Sequence, residues 1–370
     1  MIPYGRQCID EDDIKAVVDV LKSDFLTTGP TVKAFEDEFA KRVGAKYAVS
    51  VNNGTTALHL AVKALGKDIK EAITTPNTFV ASANCVRYVG GDVVFADIDN
   101  NTYNISVEDI RNKITKNTDL LIPVHFAGTP CDMDEIQKIK EEYGLYVLED
   151  AAHALGAMYK DKKIGSISDV TTFSFHPVKH ITTGEGGMVT TNDPNIYDRL
   201  LYLRTHGITR DKNRMTKYDG AFYYEQIDLG FNYRLSDLNA ALGLSQLLKI
   251  EKFLKRRREI ARKYDEVFDR VGIKHQKVSE NMESAYHLYV IAVENRNELY
   301  EFLKKNDILT QVHYIPVHTQ PYYRSLLGNI SLEKSENYYS KALSLPIYYS
   351  LTDEEQDYVI DKILEFYNKG

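Results

Sequence analysis

A single lysine, Lys179, lies within a stretch of small, hydroxylated and glycine residues, FSFHPVKHITTGEGG, at residues 173–187. The stretch begins in a run of residues typical of a β-strand, and its glycines allow the backbone to come close to a ligand. An isolated lysine in a loop is usually solvated, so a catalytic role depends on its companions. In the functional interpretation, the lysine amine forms a Schiff base with a carbonyl compound.

Two carboxylates, Glu149 and Asp150, end the apolar run LYVL and precede the segment AAHALG. Ligands of open α/β sheets bind beyond the carboxyl ends of the strands, where these side chains are expected. The structural alternative for Asp150 is a helix N-cap. The functional interpretation is that Asp150 keeps the pyridine nitrogen of pyridoxal phosphate protonated, so that the ring can accept electrons.

The third element is the turn Asn53-Gly54-Thr55-Thr56, between the apolar run YAVSV and the helical segment ALHLAVKAL. Free backbone N–H groups at a helix start can hold a phosphate, although many strand-to-helix turns contain Gly and Thr without doing so. Together the three elements supply a Schiff-base amine, a pyridinium partner and a phosphate site, in the chain order phosphate turn, aspartate, lysine.

Short apolar runs alternate with helical segments from about residue 46 onward, which predicts an α/β fold with a mostly parallel sheet covered by helices. A first helix is expected to begin near Glu11, behind an acidic cluster. The expected strands contain the runs YAVSV, AITTP, DVVFADI, LLIPVHF, LYVLED, VTTFSF and GGMVTTN.

A long amphipathic stretch from LSDLNAALG to FDRV is expected to lead out of a large domain, residues 1–245 including an N-terminal arm, into a smaller C-terminal α/β domain, residues 246–370. The smaller domain should contain the strand YHLYVIAV. Its last helix should begin with a capping box formed by Thr352 and Glu355.

Composition excludes several classes of function. The 370 residues carry a net charge of -7, which gives no reason to expect nucleic acid as a partner. No run of about 18 apolar residues and no signal-like N-terminus occur, so no membrane partner and a cytoplasmic location are expected. Three widely spaced cysteines without a CxxC pair suggest neither disulfides nor zinc, and no metal is expected.

The chain resembles the fold type I sugar aminotransferases that act on nucleotide-linked keto-sugars, the DegT/DnrJ/EryC1/StrS family. The resemblance covers nearly the whole length and implies the fold of PLP-dependent transferases of type I. It is carried by the segments IPYGRQ, LTTGP, NNGTTALHLA, TTPNTFVAS, PVHFAG, LEDAAHALGA, FSFHPVKHITTGEGG, LRTHGI and LGFNYRLSDLNAALG.

The resemblance implies a role for each matching residue of the cofactor site. Lys179 would bind pyridoxal phosphate covalently, Asp150 would pair with its pyridine nitrogen, and His153 would lie near its ring oxygen. The residues expected at the phosphate are Thr55, Thr56 and Ser174.

Two further residues carry expectations from the same resemblance. Phe79 matches an aromatic position that stacks on the cofactor, whereas taken alone it would be expected in the core. Asn232 matches an asparagine that reaches the phosphate from a partner subunit, which implies a homodimer with shared active sites.

The segments AYHLYVI and QVHYIPVHTQPYYR resemble the aminotransferases that make the 4-amino precursor of pseudaminic acid. That subfamily uses a UDP-linked 2-acetamido-4-keto-6-deoxy-hexose as acceptor and glutamate as donor. A tyrosine-rich segment packed at a domain boundary would equally explain part of this pattern. The residues expected at the substrate are Thr28, His313, Tyr314, His318 and Tyr322.

Four alternatives remain open at this stage. The first is an aminotransferase of another nucleotide keto-sugar, dTDP- or GDP-linked, aminated at C3 or C4. A sugar dehydratase would carry histidine where this chain has Lys179. A catalytically silent homologue would be expected to have lost the lysine, the aspartate or the phosphate turn, and all three are present. A nicotinamide-dependent oxidoreductase would be expected to show a GxGxxG sequence after the first strand, and none follows it.

Overall fold

A computed structural model describes residues 1–368. Its strands are β1 (Tyr47–Val51), β2 (Glu71–Thr74), β3 (Asp92–Phe95), β4 (Thr118–Ile122), β5 (Tyr146–Asp150), β6 (Met158–Tyr159), β7 (Lys162–Lys163), β8 (Val170–Ser174), β9 (Gly187–Thr191), β10 (Ile208–Thr209), β11 (Glu225–Gln226), β12 (Lys274–His275), β13 (Met282–Glu283), β14 (Tyr289–Ala292) and β15 (Ala342–Leu345). Its α-helices are α1 (Glu11–Leu21), α2 (Pro30–Val43), α3 (Gly54–Ala64), α4 (Ala81–Tyr88), α5 (Val107–Lys113), α6 (Met133–Tyr143), α7 (Pro194–Leu203), α8 (Asp237–Leu248), α9 (Ile250–Val271), α10 (Arg296–Lys305), α11 (Pro321–Leu327), α12 (Glu333–Lys341) and α13 (Asp353–Asn368).

A seven-stranded sheet forms the centre of the larger part of the molecule, in the order β1-β9-β8-β5-β4-β2-β3. Strand β9 runs antiparallel to both of its neighbours, and the other four pairs are parallel. Each of the seven strands overlaps one of the apolar runs named above, so the prediction of a mostly parallel sheet covered by helices is confirmed. Because β5 and β8 are parallel neighbours, Asp150 and Ser174 emerge at the same edge of the sheet.

The sheet is buried on both faces by two apolar clusters. The adjacent residues Leu120 and Leu121 of β4 enter different clusters, because successive side chains of a strand point to opposite faces. One cluster contains Phe35, Phe39 and Phe173. This burial explains why the strands are continuous apolar runs and why the polar residues at their ends are available for a site.

A second, antiparallel sheet follows near the C-terminus, in the order β12-β14-β15. This sheet has its own apolar cluster, in which Tyr264 and Phe268 of α9 pack with Ile363 of α13. Ile2, from the N-terminal arm, joins this cluster and forms a bridge with Ile308, so the arm contacts the C-terminal part of the chain. The domain boundary at residues 245/246 stays a prediction.

Two helix starts follow the predicted local sequence signals. Helix α1 begins at Glu11 as predicted, and Thr352 and Glu355 form the expected reciprocal cap before α13. The long amphipathic stretch forms two helices, α8 and α9, separated at Lys249. The ammonium of Lys249 binds Asp10 at 2.5 Å and Asp13 at 2.7 Å, a tertiary contact that helix periodicity does not reveal.

Within residues 1–368, no helix is both long and apolar enough to cross a membrane. The same residues contain no cluster of three or more His, Cys, Asp or Glu side chains arranged to hold a metal ion.

Candidate active site

One cavity of about 530 Å³ gathers most of the residues that the sequence singled out. It lies at the edge of the large sheet where β5 and β8 end, between the start of α3, the loop after β8 and the segments before β14 and after α10. Another cavity, of about 560 Å³, contains none of the predicted site residues. The predicted residues that line the first cavity are Thr55, Phe79, Asp150, His153, Ser174, Lys179, His313 and Tyr314.

Lys179 is held by the tight loop that follows β8. Its backbone N–H donates to the carbonyl of His176 at 2.9 Å, and its Nζ lies 3.4 Å from Nε2 of His287. Burial lowers the pKa of Lys179 to about 8, an effect opposed by the carboxylate of Asp150 and reinforced by the guanidinium of Arg257. An amine with such a pKa is partly neutral near pH 7 and can act as a nucleophile.

Asp150 ends β5 and is 5% exposed. Its Oδ2 accepts a hydrogen bond from the Ser82 hydroxyl at 2.6 Å, and its Oδ1 accepts from the N–H of Ala152 at 3.1 Å. The chain continues from Asp150 into turns rather than into a helix, so the N-cap alternative is wrong. The carboxylate instead faces the cavity that contains Lys179.

The turn before α3 leaves backbone amides available at the cavity. Asn53 and Thr56 form a reciprocal cap that uses the N–H groups of both residues, and the Thr56 hydroxyl also donates to Asn52 at 2.6 Å. The N–H groups of Gly54 and Thr55 lie in the first turn, where a helix provides no partner. A side chain at Gly54 would approach Cβ of Ser174 to 2.9 Å, so glycine allows the helix start to touch the end of β8.

His153 also lines the cavity and is 5% exposed. Its Nε2 shares a hydrogen bond with the Tyr314 hydroxyl at 3.0 Å, whereas its Nδ1 is buried and has no partner among residues 1–368. Burial, together with the nearby amine of Lys179, holds the pKa of His153 well below its usual value. A neutral imidazole with an unsatisfied nitrogen is therefore available to a bound molecule.

Among the predicted aromatic and substrate-side residues, Phe79, His313 and Tyr314 line the cavity. Phe79 is 58% exposed at the cavity, so the expectation that it belongs to the core is wrong. Its ring centroid lies 6.4 Å from that of Tyr314. His313 lines the same cavity, and its Nδ1 shares a hydrogen bond with the Ser344 hydroxyl at 2.8 Å.

Five predicted residues lie away from this cavity. The Thr56 side chain serves the α3 cap, and Thr28 is exposed with a φ of 60°. His318 is buried and bound to Glu336 at 3.0 Å. The other two residues, Tyr322 and Asn232, are exposed. The predicted roles of all five residues stay predictions.

Sequence reasoning did not single out three residues that line the cavity: Tyr4, Ser82 and His287. Tyr4 lies in IPYGRQ and His287 lies in AYHLYVI, two segments that carried the resemblance. Both residues were therefore within recognised segments, but nothing in the spacing marked them individually. Ser82, the second residue of α4, likewise ends a segment that carried the resemblance, TTPNTFVAS.

Pyridoxal phosphate fits these residues. The cavity presents an amine on Lys179, a carboxylate on Asp150 and the first-turn amides of Gly54 and Thr55 at the start of α3, where a phosphate is favoured. The buried, unpartnered Nδ1 of His153 provides a further position for a polar atom of a bound molecule. Ser174 lies against Gly54 and places a hydroxyl beside the same helix start.

Comparison with known proteins agrees with this geometry. The chain is 42% identical to the spore coat polysaccharide biosynthesis protein SpsC of Bacillus subtilis, over 98% of this chain and 96% of that protein. It is 40% identical to a UDP-4-amino-4,6-dideoxy-N-acetyl-beta-L-altrosamine transaminase of Campylobacter jejuni, over 100% and 99% of the two chains.

Solved structures show the same fold. The aminotransferase PseC of Helicobacter pylori, involved in pseudoaminic acid biosynthesis, is 32% identical, with a TM-score of 0.91 over 100% of both chains. The PLP form of the sugar aminotransferase Spr1654 of Streptococcus pneumoniae is 31% identical, with a TM-score of 0.90 over 97% of both chains. A sequence model of the DegT/DnrJ/EryC1/StrS aminotransferase family matches residues 7–364. The chain belongs to this family and is a PLP-dependent sugar aminotransferase.

Proposed function

We propose that this enzyme transfers an amino group from glutamate to C4 of a UDP-linked 2-acetamido-4-keto-6-deoxy-hexose. The observation that carries the proposal is the cavity that contains Lys179, Asp150 and the α3 N-terminus in a chain 40% identical over its whole length to a transaminase named for such a sugar. The product would be a 4-amino sugar nucleotide of the pseudaminic acid type. A cytoplasmic location stays a prediction.

In this proposal, Lys179 attaches the cofactor and then acts as the base. When bound, pyridoxal phosphate supplies an electron sink for the carbanion formed at the substrate carbon. Lys179 carries the proton to and from that carbon, which requires the neutral amine that burial favours. Asp150 keeps the pyridine nitrogen protonated, while Ser174 and Thr55 with the first amides of α3 hold the phosphate.

The substrate side of the cavity supports a sugar. His313 and Tyr314 bring an imidazole and a phenol into the cavity that contains Lys179, and Tyr4 adds an aromatic face. Rings of this kind pack against the faces of sugars while their polar tips bind hydroxyl groups. Removal from water raises the pKa of Tyr314, so its hydroxyl stays protonated and can donate a hydrogen bond.

The alternative is an aminotransferase of a different nucleotide keto-sugar. The higher identity of 42% to SpsC favours keeping this alternative, since that relative is named for spore coat polysaccharide biosynthesis. The chemistry at Lys179 and Asp150 would be unchanged, and only the sugar, its nucleotide or the aminated carbon would differ.

We also propose a homodimer in which Asn232 completes the cavity of the partner. Asn232 is exposed and does not line the cavity of its own chain. The preceding segment exposes apolar side chains, since Phe222 and Leu229 are each 73% exposed. Burial of such a surface against a second chain would bring Asn232 to a neighbouring site.

The test is an absorption spectrum from about 300 to 500 nm, recorded first with cofactor, then with glutamate, and then with the UDP-linked 4-keto sugar. The lysine-bound cofactor absorbs in the visible and its amine form does not. Bleaching by glutamate followed by recovery with this sugar supports the proposal. Bleaching that the UDP-linked sugar does not reverse, but that a dTDP- or GDP-linked keto-sugar does reverse, establishes the alternative. No visible band with added cofactor would favour a catalytically silent protein.

A further inference from the structure

His287 lies within hydrogen-bond distance of the reactive amine. Its Nε2 lies 3.4 Å from Nζ of Lys179, at the long end of a hydrogen bond, and the residue is 4% exposed. Its ring stands 4.3 Å from that of His153, centroid to centroid. His287 therefore contacts both Lys179 and His153 within the cavity.

The backbone around His287 is fixed by side chains from two other parts of the chain. Arg257 of α9, itself 3% exposed, donates to the carbonyls of Tyr286 at 3.1 Å and His287 at 3.3 Å. His180, which follows Lys179, shares a hydrogen bond between its Nε2 and the carbonyl of Ala285 at 2.9 Å. The loop that carries Lys179 and the segment that carries His287 are thus tied together.

The protonation of His287 follows from its partners. Burial and the neighbouring amine of Lys179 hold the pKa of His287 well below its usual value, so the ring is neutral. Its Nδ1 is buried and has no partner among the described residues. A buried N–H without an acceptor costs more than a bare acceptor nitrogen, so when the amine of Lys179 is neutral the single ring proton belongs on Nε2, facing this amine.

The electrostatic surroundings of the amine come from several elements. Most of the titratable groups around it are neutral imidazoles, so the carboxylate of Asp150 and the guanidinium of Arg257 dominate the field. The titratable groups that interact with Lys179 are Asp150 at the end of β5, Arg257 on α9, His153, His180, His287 and His313.

We propose that His287 is a positioning residue that donates its Nε2 proton to the neutral amine of Lys179, and so holds this amine as a free base directed at the cavity. The inference rests on the proposed role of Lys179 as the point of cofactor attachment. A hydrogen bond to the lone pair of the amine stabilises the neutral form only, so its loss should raise the pH at which Lys179 becomes nucleophilic.

The test measures capture of pyridoxal phosphate by the cofactor-free protein from pH 6 to 10, as the rate at which the visible band appears. The pH midpoint of this rate reports the protonation of the amine. Borohydride reduction and peptide mapping identify the lysine that was modified. The ionisations of free pyridoxal phosphate are the same in every sample, so differences between variants belong to the protein.

Two variants separate the hydrogen bond from the packing. His287→Leu preserves the apolar volume but has no donor, and we expect its midpoint to rise by about one pH unit, with capture at pH 7 about tenfold slower. His287→Gln provides an amide N–H at similar reach and should restore most of the wild-type midpoint. Circular dichroism checks the fold, and His287→Met, which also has no donor, replaces the leucine variant if that variant does not fold.

The outcomes are distinct. A wild-type midpoint in His287→Leu, with Lys179 still modified, would overturn the inference and leave the proposed function intact. Equal midpoints in the leucine and glutamine variants would assign the shift to packing and also overturn it. Failure of the wild-type protein to capture the cofactor at Lys179 would overturn the proposed function, and the inference with it.

Discussion

Replacement of Asp150 by asparagine tests the electronic role of the site without removing its packing. In the structure, Asp150 accepts hydrogen bonds from Ser82 and from the N–H of Ala152. An asparagine can keep its oxygen at Ala152 and donate its amide to the Ser82 oxygen. The Ser82 hydroxyl can then donate to the carbonyl of Phe79, 3.3 Å away. The variant should therefore fold, with a loss of about 1 kcal/mol or less.

The catalytic loss should be much larger, because the amide cannot stabilise a positive charge on the pyridine nitrogen. Removal of one electrostatic partner from a water-excluded site costs about 2.7–4 kcal/mol. That cost corresponds to a rate roughly 100- to 1000-fold lower in each half-reaction. Cofactor capture should be retained, because it depends on Lys179 and the phosphate site.

The assay is stopped-flow bleaching of the visible band by glutamate, which isolates one half-reaction from product release. Ser82→Ala is the matched control, since it removes a hydrogen bond to Asp150 but preserves the carboxylate, and a loss below about tenfold is expected. Bleaching of Asp150→Asn within tenfold of the wild-type rate, at full cofactor occupancy, would refute the assignment of Asp150 to the pyridine nitrogen.

Two further predictions concern Lys179 and Asn232. Because the pKa of Lys179 falls to about 8 in the folded chain, its burial costs stability below pH 8, and the cost disappears as pH rises toward the unfolded value of 10.5. Cofactor-free Lys179→Met should therefore be more stable than wild type at pH 7 by about 1–2 kcal/mol after allowance for solvent, with the difference in melting temperature shrinking above pH 8. Lys179→Ala and Asn232→Ala should each be inactive alone, but mixed subunits should regain about a quarter of wild-type activity, because half of the dimers contain one intact site. A difference in melting temperature that stays constant from pH 7 to 10 would contradict the first expectation. No recovery of activity on mixing the subunits would contradict the second.

The sequence predicted the large sheet well for a physical reason. Parallel strands covered on both faces are continuous apolar runs, and β4, for example, is buried at every position. The two-residue strands β6, β7 and β13 have no periodicity to detect, and they were not predicted. The position of the break at Lys249 was not predicted; the ammonium of Lys249 binds Asp10 and Asp13, which are far away in sequence.

The site was predictable where it follows from the sheet. Asp150 and Ser174 end neighbouring parallel strands, so their proximity follows from the strand order, and Lys179 lies five residues beyond Ser174. Ser82 and His287 reach the same cavity through contacts that span 68 and 108 positions of sequence. No local pattern encodes contacts of that range, so these residues required the structure.

The segment QVHYIPVHTQPYYR illustrates how packing and substrate recognition become mixed in one resemblance. Within it, His318 is buried against Glu336, whereas His313 and Tyr314 reach the cavity. His313 also binds the hydroxyl of Ser344 through Nδ1. A histidine at this position could therefore be required for the fold, for the sugar or for both.

His313→Asn separates these two contributions, because an asparagine places an amide near the position of Nδ1 and can retain the bond to Ser344 while removing the rest of the ring. We expect an unchanged melting temperature, an unchanged rate of bleaching by glutamate, and recovery with the keto-sugar about tenfold slower, the loss of one hydrogen bond to the substrate. Equal losses in both half-reactions would place His313 with the cofactor or the fold. A slower sugar half-reaction alone makes it a specificity residue, because both half-reactions use Lys179 as the base, whereas glutamate and the keto-sugar differ in what else they touch.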